Sequence, residues 1–134
     1  MSRLLTTSPA DASLLARRLG ETRLVIALCA AWCGTCKEFQ AVFARIAQKR
    51  PDAVFVWLDI EDDSALAGDV DVEDFPTLAV FRDGVPVHFG VSLPQEGVVT
   101  RLLSALLEAN VPPASVPKEV AELPHLLRDR SPVG

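Results

Sequence analysis

The chain has 134 residues, 49% hydrophobic and 23% charged. That gives one domain able to bury a core without metal or disulfide staples, and it excludes wholesale disorder. A net charge of -5 argues against nucleic acid, whose phosphates need a basic surface, and the longest apolar run, ten residues from Leu24 to Cys33, is far short of a membrane span. Three cysteines cannot all pair internally, which argues against a disulfide-stapled secreted scaffold.

Ser2 to Thr7 reads as a short first strand. Ser8 followed by Pro9 is a helix start, since serine caps free backbone N–H groups and proline tolerates the first helical position, and this helix should stop at Gly20. Leu24 to Ala30 is continuously apolar and too short for a comfortable helix, so it reads as a buried central strand. After Cys33, Phe39, Val42, Phe43 and Ile46 recur at helical spacing until Pro51. Ala53 to Leu58 is a second buried strand. About one helical turn is expected around Ser64 to Gly68.

Thr77 to Arg82 is a third strand, and Asp83-Gly84 is a hairpin turn leading into Val87 to Phe89. Pro94 opens a last helix whose stripe of Val98, Val99, Leu102, Leu103, Leu106 and Leu107 packs a core. Helices alternating with buried strands predict an α/β fold. Its central mixed sheet is flanked by helices on both faces, with only the final hairpin antiparallel.

Pro112, Pro113 and Pro117 then break structure in quick succession. The domain is expected to span residues 1–110. Residues 111–134 form a proline-rich tail, a marginal appendage either docked on the body or mobile, in which Val120, Leu123, Leu126 and Leu127 could line a short helix, interrupted at Pro124. Truncation after Asn110 is expected to leave the fold intact.

Charge is unevenly distributed. Residues 1–50 carry eight basic and three acidic side chains, whereas residues 51–74 carry nine acidic side chains and no basic one. This is a solvated acidic stretch or a rim that steers partners.

The chemistry lies in Ala31-Trp32-Cys33-Gly34-Thr35-Cys36-Lys37, where a buried strand gives way to a helix. A cysteine at a helix N-terminus faces free N–H donors and the positive end of the dipole, which stabilise a thiolate, the nucleophile of disulfide exchange. The first helical turn brings Cys36 within bonding reach of Cys33. Being one turn deeper, Cys36 should be shielded and suited to resolving a mixed disulfide. Gly34 lets a substrate backbone approach the sulfur. A zinc site would need two further ligands. Only Cys29, His88 and His125 remain as cysteine or histidine, and none forms a second ligand pair, so no metal is expected. Cys29 reads as a small buried strand residue or, alternatively, as a regulatory or mispairing thiol, His88 as a strand surface residue and His125 as a tail residue.

The segment Trp32-Cys33-Gly34-Thr35-Cys36-Lys37 resembles the active-site motif of the thioredoxin family. Phe75-Pro76-Thr77 matches that family's second signature, an apolar residue, a cis-proline and a threonine, and Asp83-Gly84 and Gly90 fall at its hairpin and at the glycine before the last helix. The resemblance covers roughly residues 1–109 and implies a thioredoxin-like fold. It also implies that Pro76 is cis and faces the disulfide, with Trp32, Gly34, Thr35, Phe75, Pro76 and Gly90 forming the substrate surface around Cys33. The backbone of Phe75 would pair with an extended substrate strand.

Two positions depart from the family. Its buried aspartate is Ala27 here, and the lysine paired with it is Trp57. Their joint absence is coherent, because one buried charge without the other is costly. Cys36 therefore lacks the usual proton acceptor, for which water, Asp59, Glu61 or Asp74 could substitute. Threonine at position 35, where the family commonly has proline, should also alter the redox poise.

The resemblance implies a thiol–disulfide oxidoreductase that reduces protein disulfides through Cys33 and Cys36; it is expected to be a monomer, and the odd cysteine count and missing export signal point to a cytoplasmic protein. It needs no bound cofactor and relies on an external reductase to restore the dithiol. The first twenty residues contain Asp11 and no apolar stretch of signal-peptide length, consistent with that compartment. The alternative is a weakly catalytic or non-catalytic protein-binding or assembly chaperone on the same fold.

Overall fold

Strand β1 (Arg23–Cys29) is buried along its length after Arg23, because the sequence RLVIALC offers apolar side chains to both faces of a sheet. In the computed structural model, which describes residues 4–6, 11, 14, 17–18, 23–30, 33–60, 70, 72, 74–107 and 111–130, it lies inside a four-stranded sheet. The other strands are β2 (Val54–Asp59), β3 (Thr77–Arg82) and β4 (Val85–Val91), in the order β2–β1–β3–β4. Of the expected first strand, Leu5 makes a single parallel bridge to Val56, donating to the Phe55 carbonyl at 2.9 Å and accepting from the Trp57 N–H at 2.8 Å. The expected helix over 8–19 falls outside the described residues except at Asp11, Leu14, Arg17 and Arg18, and the turn at 64–68 falls wholly outside them.

β1 runs parallel to β2 from Leu24↔Val54 to Cys29↔Asp59 and antiparallel to β3 from Arg23↔Arg82 to Leu28↔Thr77. The expectation that only the final hairpin is antiparallel is therefore corrected. β2 leaves the sheet beside Cys29 and β3 enters it beside Leu28, at the same end. A parallel neighbour would have required the chain to travel back along the sheet first. The hairpin turns at Asp83 (φ 55°) and Gly84 (φ 79°), the pair of left-handed residues that a two-residue turn demands.

Alternation along the strands sorts two cores. Val25, Ala27, Cys29, Phe55, Leu78 and Val80 face helices α1 (Gly34–Lys49) and α2 (Glu96–Leu106), which contribute Cys36, Phe39, Phe43, Ile46, Val99 and Leu103. Glu96, in the first turn of α2, accepts hydrogen bonds from Lys49 Nζ and Arg45 Nε, both at 2.9 Å, and so ties the two helices together. Those bonds, from Lys49 and then Arg45, hold the Glu96 carboxyl below its usual range.

The opposite face, with Leu24, Ile26, Leu28, Val54, Val56, Leu58 and Phe81, is covered by the tail together with Leu14, Val70 and Val72. The segment after α2 packs Val111 on the first face. It then passes the edge strand, where the Ala114 N–H donates to the Pro86 carbonyl at 2.9 Å, and places Val116 on the second face. There α3 (Lys118–Ala121) and α4 (Leu123–Arg130) follow, with Val120, Leu123 and Leu127 exposed by only 0%, 0% and 1%. Pro124 does not interrupt α4. It sits in the first turn, where its missing N–H would have had no partner within the helix. Residues 111–130 thus belong to the core, and a boundary at Asn110 would divide it. Among the described residues no helix is long and apolar enough to cross a membrane.

The β3–β4 register shifts so that Phe81 faces Pro86 while Val80 faces His88, leaving Val87 as an extra residue on the first face. Burial lowers the pKa of His88 from the ordinary 6.5, and its buried Nε2 has no hydrogen-bond partner. Above pH 6.5 the ring is neutral whether the chain is folded or not, and it contributes nothing to the pH dependence. Below that value the unfolded chain takes up a proton that the folded one resists, so stability falls with pH. Urea midpoints measured from pH 7 downward are expected to decline first in this window, and His88→Gln to flatten the decline. The loss through Glu96 begins only below its ordinary value of 4.5, so the two effects separate on the pH axis.

Candidate active site

The site forms where the sheet ends. Cys29 closes β1, with Asp59 beside it in the parallel register. Extending the antiparallel register one residue beyond Leu28↔Thr77 brings Pro76 to its other side. Beyond Pro76 stands Ser92, whose N–H donates to the Pro76 carbonyl at 2.9 Å. One row across the end of the sheet therefore reads Asp59, Cys29, Pro76, Ser92. The Phe75–Pro76 peptide bond is cis. Thr77 Oγ1 donates to the Asp74 carbonyl at 2.7 Å and closes the loop that carries the proline.

From this row the chain rises into α1. The Ile60 N–H donates to the Cys29 carbonyl at 2.9 Å and the Cys33 N–H to that of Ala30 at 3.0 Å. Cys33 is the N-cap of α1, and its carbonyl accepts from the Lys37 N–H at 3.2 Å. Its side chain is half-buried. Cys36 lies one turn in, on the helix stripe that continues through Phe39 and Phe43 toward the sheet.

Cys36 is bonded to Cys29, their Cα atoms 5.8 Å apart, and Cys33 carries a free thiol. In this structure the bond is to Cys29 rather than the expected one between Cys33 and Cys36, and Cys29 is more than a small buried strand residue. Strand alternation puts Cys29 on the same face as Val25 and Ala27, the face on which α1 lies, and Cys36 is on the buried stripe of α1. The two sulfurs thus point into one core, and their Cα separation suits a disulfide. The signal is legible in the sequence, because parity along β1 and helical spacing along α1 together aim both residues at the same interface.

Gly34 and Thr35 are exposed on the first turn of α1, and a Cβ on Gly34 would meet open space, so the fold itself does not require glycine there. Phe75 packs against the same core as Cys29, Cys33 and Cys36, and Pro76 is buried. Gly90 is half-buried opposite Leu78, two rungs from the Pro76 row. Among the described residues, Val91 and Leu93 beside it are large apolar side chains left exposed. Trp32, also expected at this surface, lies outside the described residues.

Ala27 and Trp57, which replace the family's charged pair, are direct neighbours in the β1–β2 register. Trp57 fills the space with ring contacts to Phe39 at 6.2 Å and Phe43 at 6.3 Å, so aromatic packing stands where an ion pair would. Of the candidate carboxylates, Asp59 is 8% exposed and continues the series Phe55, Trp57 on the face of β2 that carries the cysteines. Asp74 is exposed, and Glu61 lies outside the described residues. Among the described residues no three histidine, cysteine or acidic side chains gather as a metal site.

A mixed sheet between helices, with a cysteine capping a helix and a cis-proline at the same end of the sheet, defines a thioredoxin-like protein. A family model described as Thioredoxin matches residues 10–102, and the chain belongs to that family. It is 33% identical to thioredoxin of Ophiophagus hannah over 69 residues, which is 52% of this chain and 66% of that one. It is 32% identical to thioredoxin of Gallus gallus over 79 residues, 59% of this chain and 75% of that one. A mutant thioredoxin from Halobacterium salinarum superposes with a TM-score of 0.63 at 26% identity, over 86% of this chain and 95% of the other. At the level of the family, the chemistry is thiol–disulfide oxidoreduction.

Proposed function

We propose that this protein is a cytoplasmic, monomeric protein-disulfide reductase. The observation that carries this reading is the half-exposed Cys33 thiol at the N-cap of α1, with Cys36 buried one turn behind it and Phe75–Pro76 beside them. Cys33 attacks a substrate disulfide and forms a mixed disulfide. The Cys36 thiolate then attacks Cys33 Sγ, releasing the reduced substrate and leaving an oxidised protein that an external reductase restores. An extended substrate segment pairs with the backbone of Phe75, flanked by the exposed Val91 and Leu93.

Asp59 takes the role of the missing buried aspartate, accepting the proton of Cys36 as it becomes a nucleophile. Asp59→Asn is expected to slow release of the trapped substrate about tenfold while leaving formation of the mixed disulfide unchanged. Equal release rates in stopped-flow single turnovers would remove Asp59 from the mechanism.

The experiment for the main reading is insulin disulfide reduction with a small thiol or a thioredoxin reductase as electron source. Wild type is expected to turn over, Cys33→Ser to be inactive, and Cys36→Ser to accumulate a mixed disulfide. Absence of wild-type turnover with either reductant would sink the reading.

One observation favours a second role, a binding or assembly module: with Cys36 held by Cys29, Cys33 is left as a half-buried free thiol packed against the same core as Phe75. That module would retain partners without reducing them.

A further inference from the structure

We propose that Cys36 is shared between two partners, closing on Cys33 as it resolves a substrate and then passing to Cys29. The oxidised protein then rests with a buried disulfide and a regenerated Cys33 thiol. This rests on the exchange chemistry proposed above and adds a third cysteine to it.

Three observations carry the inference. Cys36 is bonded to Cys29 while Cys33 is free. Cys33 is the N-cap of α1 and Cys36 lies one turn into the same helix, with Cys29 5.8 Å from Cys36 between Cα atoms, so both pairings of Cys36 lie within one helical turn's reach. Cys29 and Cys36 are only 0% and 1% exposed, whereas Cys33 is half-exposed. Of the two disulfides that Cys36 can form, the one to Cys29 is therefore shielded from external thiols, and exposed disulfides are the more labile.

The step balances without any outside reagent. The Cys29 thiol loses its proton, and its thiolate attacks Cys36 Sγ. The Cys33–Cys36 bond breaks as the Cys29–Cys36 bond forms, and Cys33 leaves as a thiolate that takes up a proton. One disulfide and one thiol are present before and after, so the two electrons already passed to the substrate stay with it.

The transfer has two consequences. The oxidised protein keeps its surface nucleophile, so it can still engage a second disulfide-containing chain. A reductase cannot reach the buried bond directly, so re-reduction has to run back through Cys33.

The test uses the full chain treated with one equivalent of diamide, so it does not depend on insulin turnover. The sample is quenched in acid, then unfolded and blocked with N-ethylmaleimide. It is then reduced, labelled with iodoacetamide and digested with trypsin. All three cysteines fall in the one tryptic peptide Leu24–Lys37, whose fragmentation assigns each label. The expected result is maleimide on Cys33 and acetamide on Cys29 and Cys36. Maleimide on Cys29, or on all three, overturns the proposal, and insulin turnover alongside maleimide on Cys29 leaves the reductase reading standing. In the same series Cys29→Ala is expected to lower the oxidation equilibrium constant against a dithiol buffer at least tenfold, raising the reduction potential by about 30 mV. Equal potentials for variant and wild type also overturn the proposal.

Discussion

Cutting the chain after Asn110 is expected to lower its thermal midpoint by roughly 10–20 °C or to abolish the cooperative transition. Val120, Leu123 and Leu127 are almost wholly buried against the second face of the sheet. Fully burying such side chains contributes about 1.5–3 kcal/mol each. Part of that gain is offset by the conformational entropy of fixing the tail, about 1–2 kcal/mol per residue of backbone, which truncation returns. What truncation does not return is the cover over Leu24, Ile26, Leu28, Val56 and Phe81, which would then meet water. A domain's whole stability is only about 5–15 kcal/mol, so a loss of several kcal/mol is decisive. Circular dichroism melts of residues 1–110 against the full chain check this, and Leu123→Ala, with an expected cost of about 2–5 kcal/mol, isolates one contact. Melts that agree within about 3 °C would mean that the tail only rests on the sheet.

Phe43→Ala is expected to cost about 3–5 kcal/mol. The ring is fully buried and lies 5.4 Å from Phe39, 5.3 Å from Phe55 in an edge-on arrangement and 6.3 Å from Trp57. It joins all three rings, so its loss leaves a cavity between α1 and the sheet. Because α1 also carries Cys33 and Cys36, loosening it should slow insulin reduction under conditions where the variant remains folded. Phe43→Leu, which keeps most of the volume, is expected to cost clearly less. Urea midpoints of the three proteins give the comparison, and a Phe43→Ala midpoint equal to wild type would show that the aromatic cluster does not hold the helix.

Much of this arrangement is legible in the residues. The strand expected over Thr77–Arg82 has those bounds, and the other strands and both large helices lie within a few residues of their expected positions. Their signals are local: apolar runs of strand length, helical spacing and the Asp83-Gly84 turn. The orientation of β3 is not legible, because it depends on the end of the sheet at which the chain re-enters, which no apolar pattern encodes. Whether the tail packs or stays mobile is left open by a sequence reading for a related reason. Prolines mark the end of regular structure but not the end of packing, and Pro112, Pro113 and Pro117 lead the chain around the edge strand to the second face. At the site, the motif locates the helix cap and the cis-proline loop. The part played by Cys29 is written in two separate patterns, strand parity along β1 and helical spacing along α1, and shows only when the two are read together.

The path of the tail also bears on how the protein is made. The sheet and its α1–α2 face are complete once Val111 has been synthesised, but the other face, where Leu14, Val70 and Val72 already pack, waits for Leu127 to be fully covered. On the ribosome the nascent chain therefore passes through a stage with its cysteine site assembled and part of an apolar face uncovered. Such half-covered intermediates are prone to aggregation, and chaperones act on them. For this chain that exposure ends only when α4 leaves the ribosome and docks.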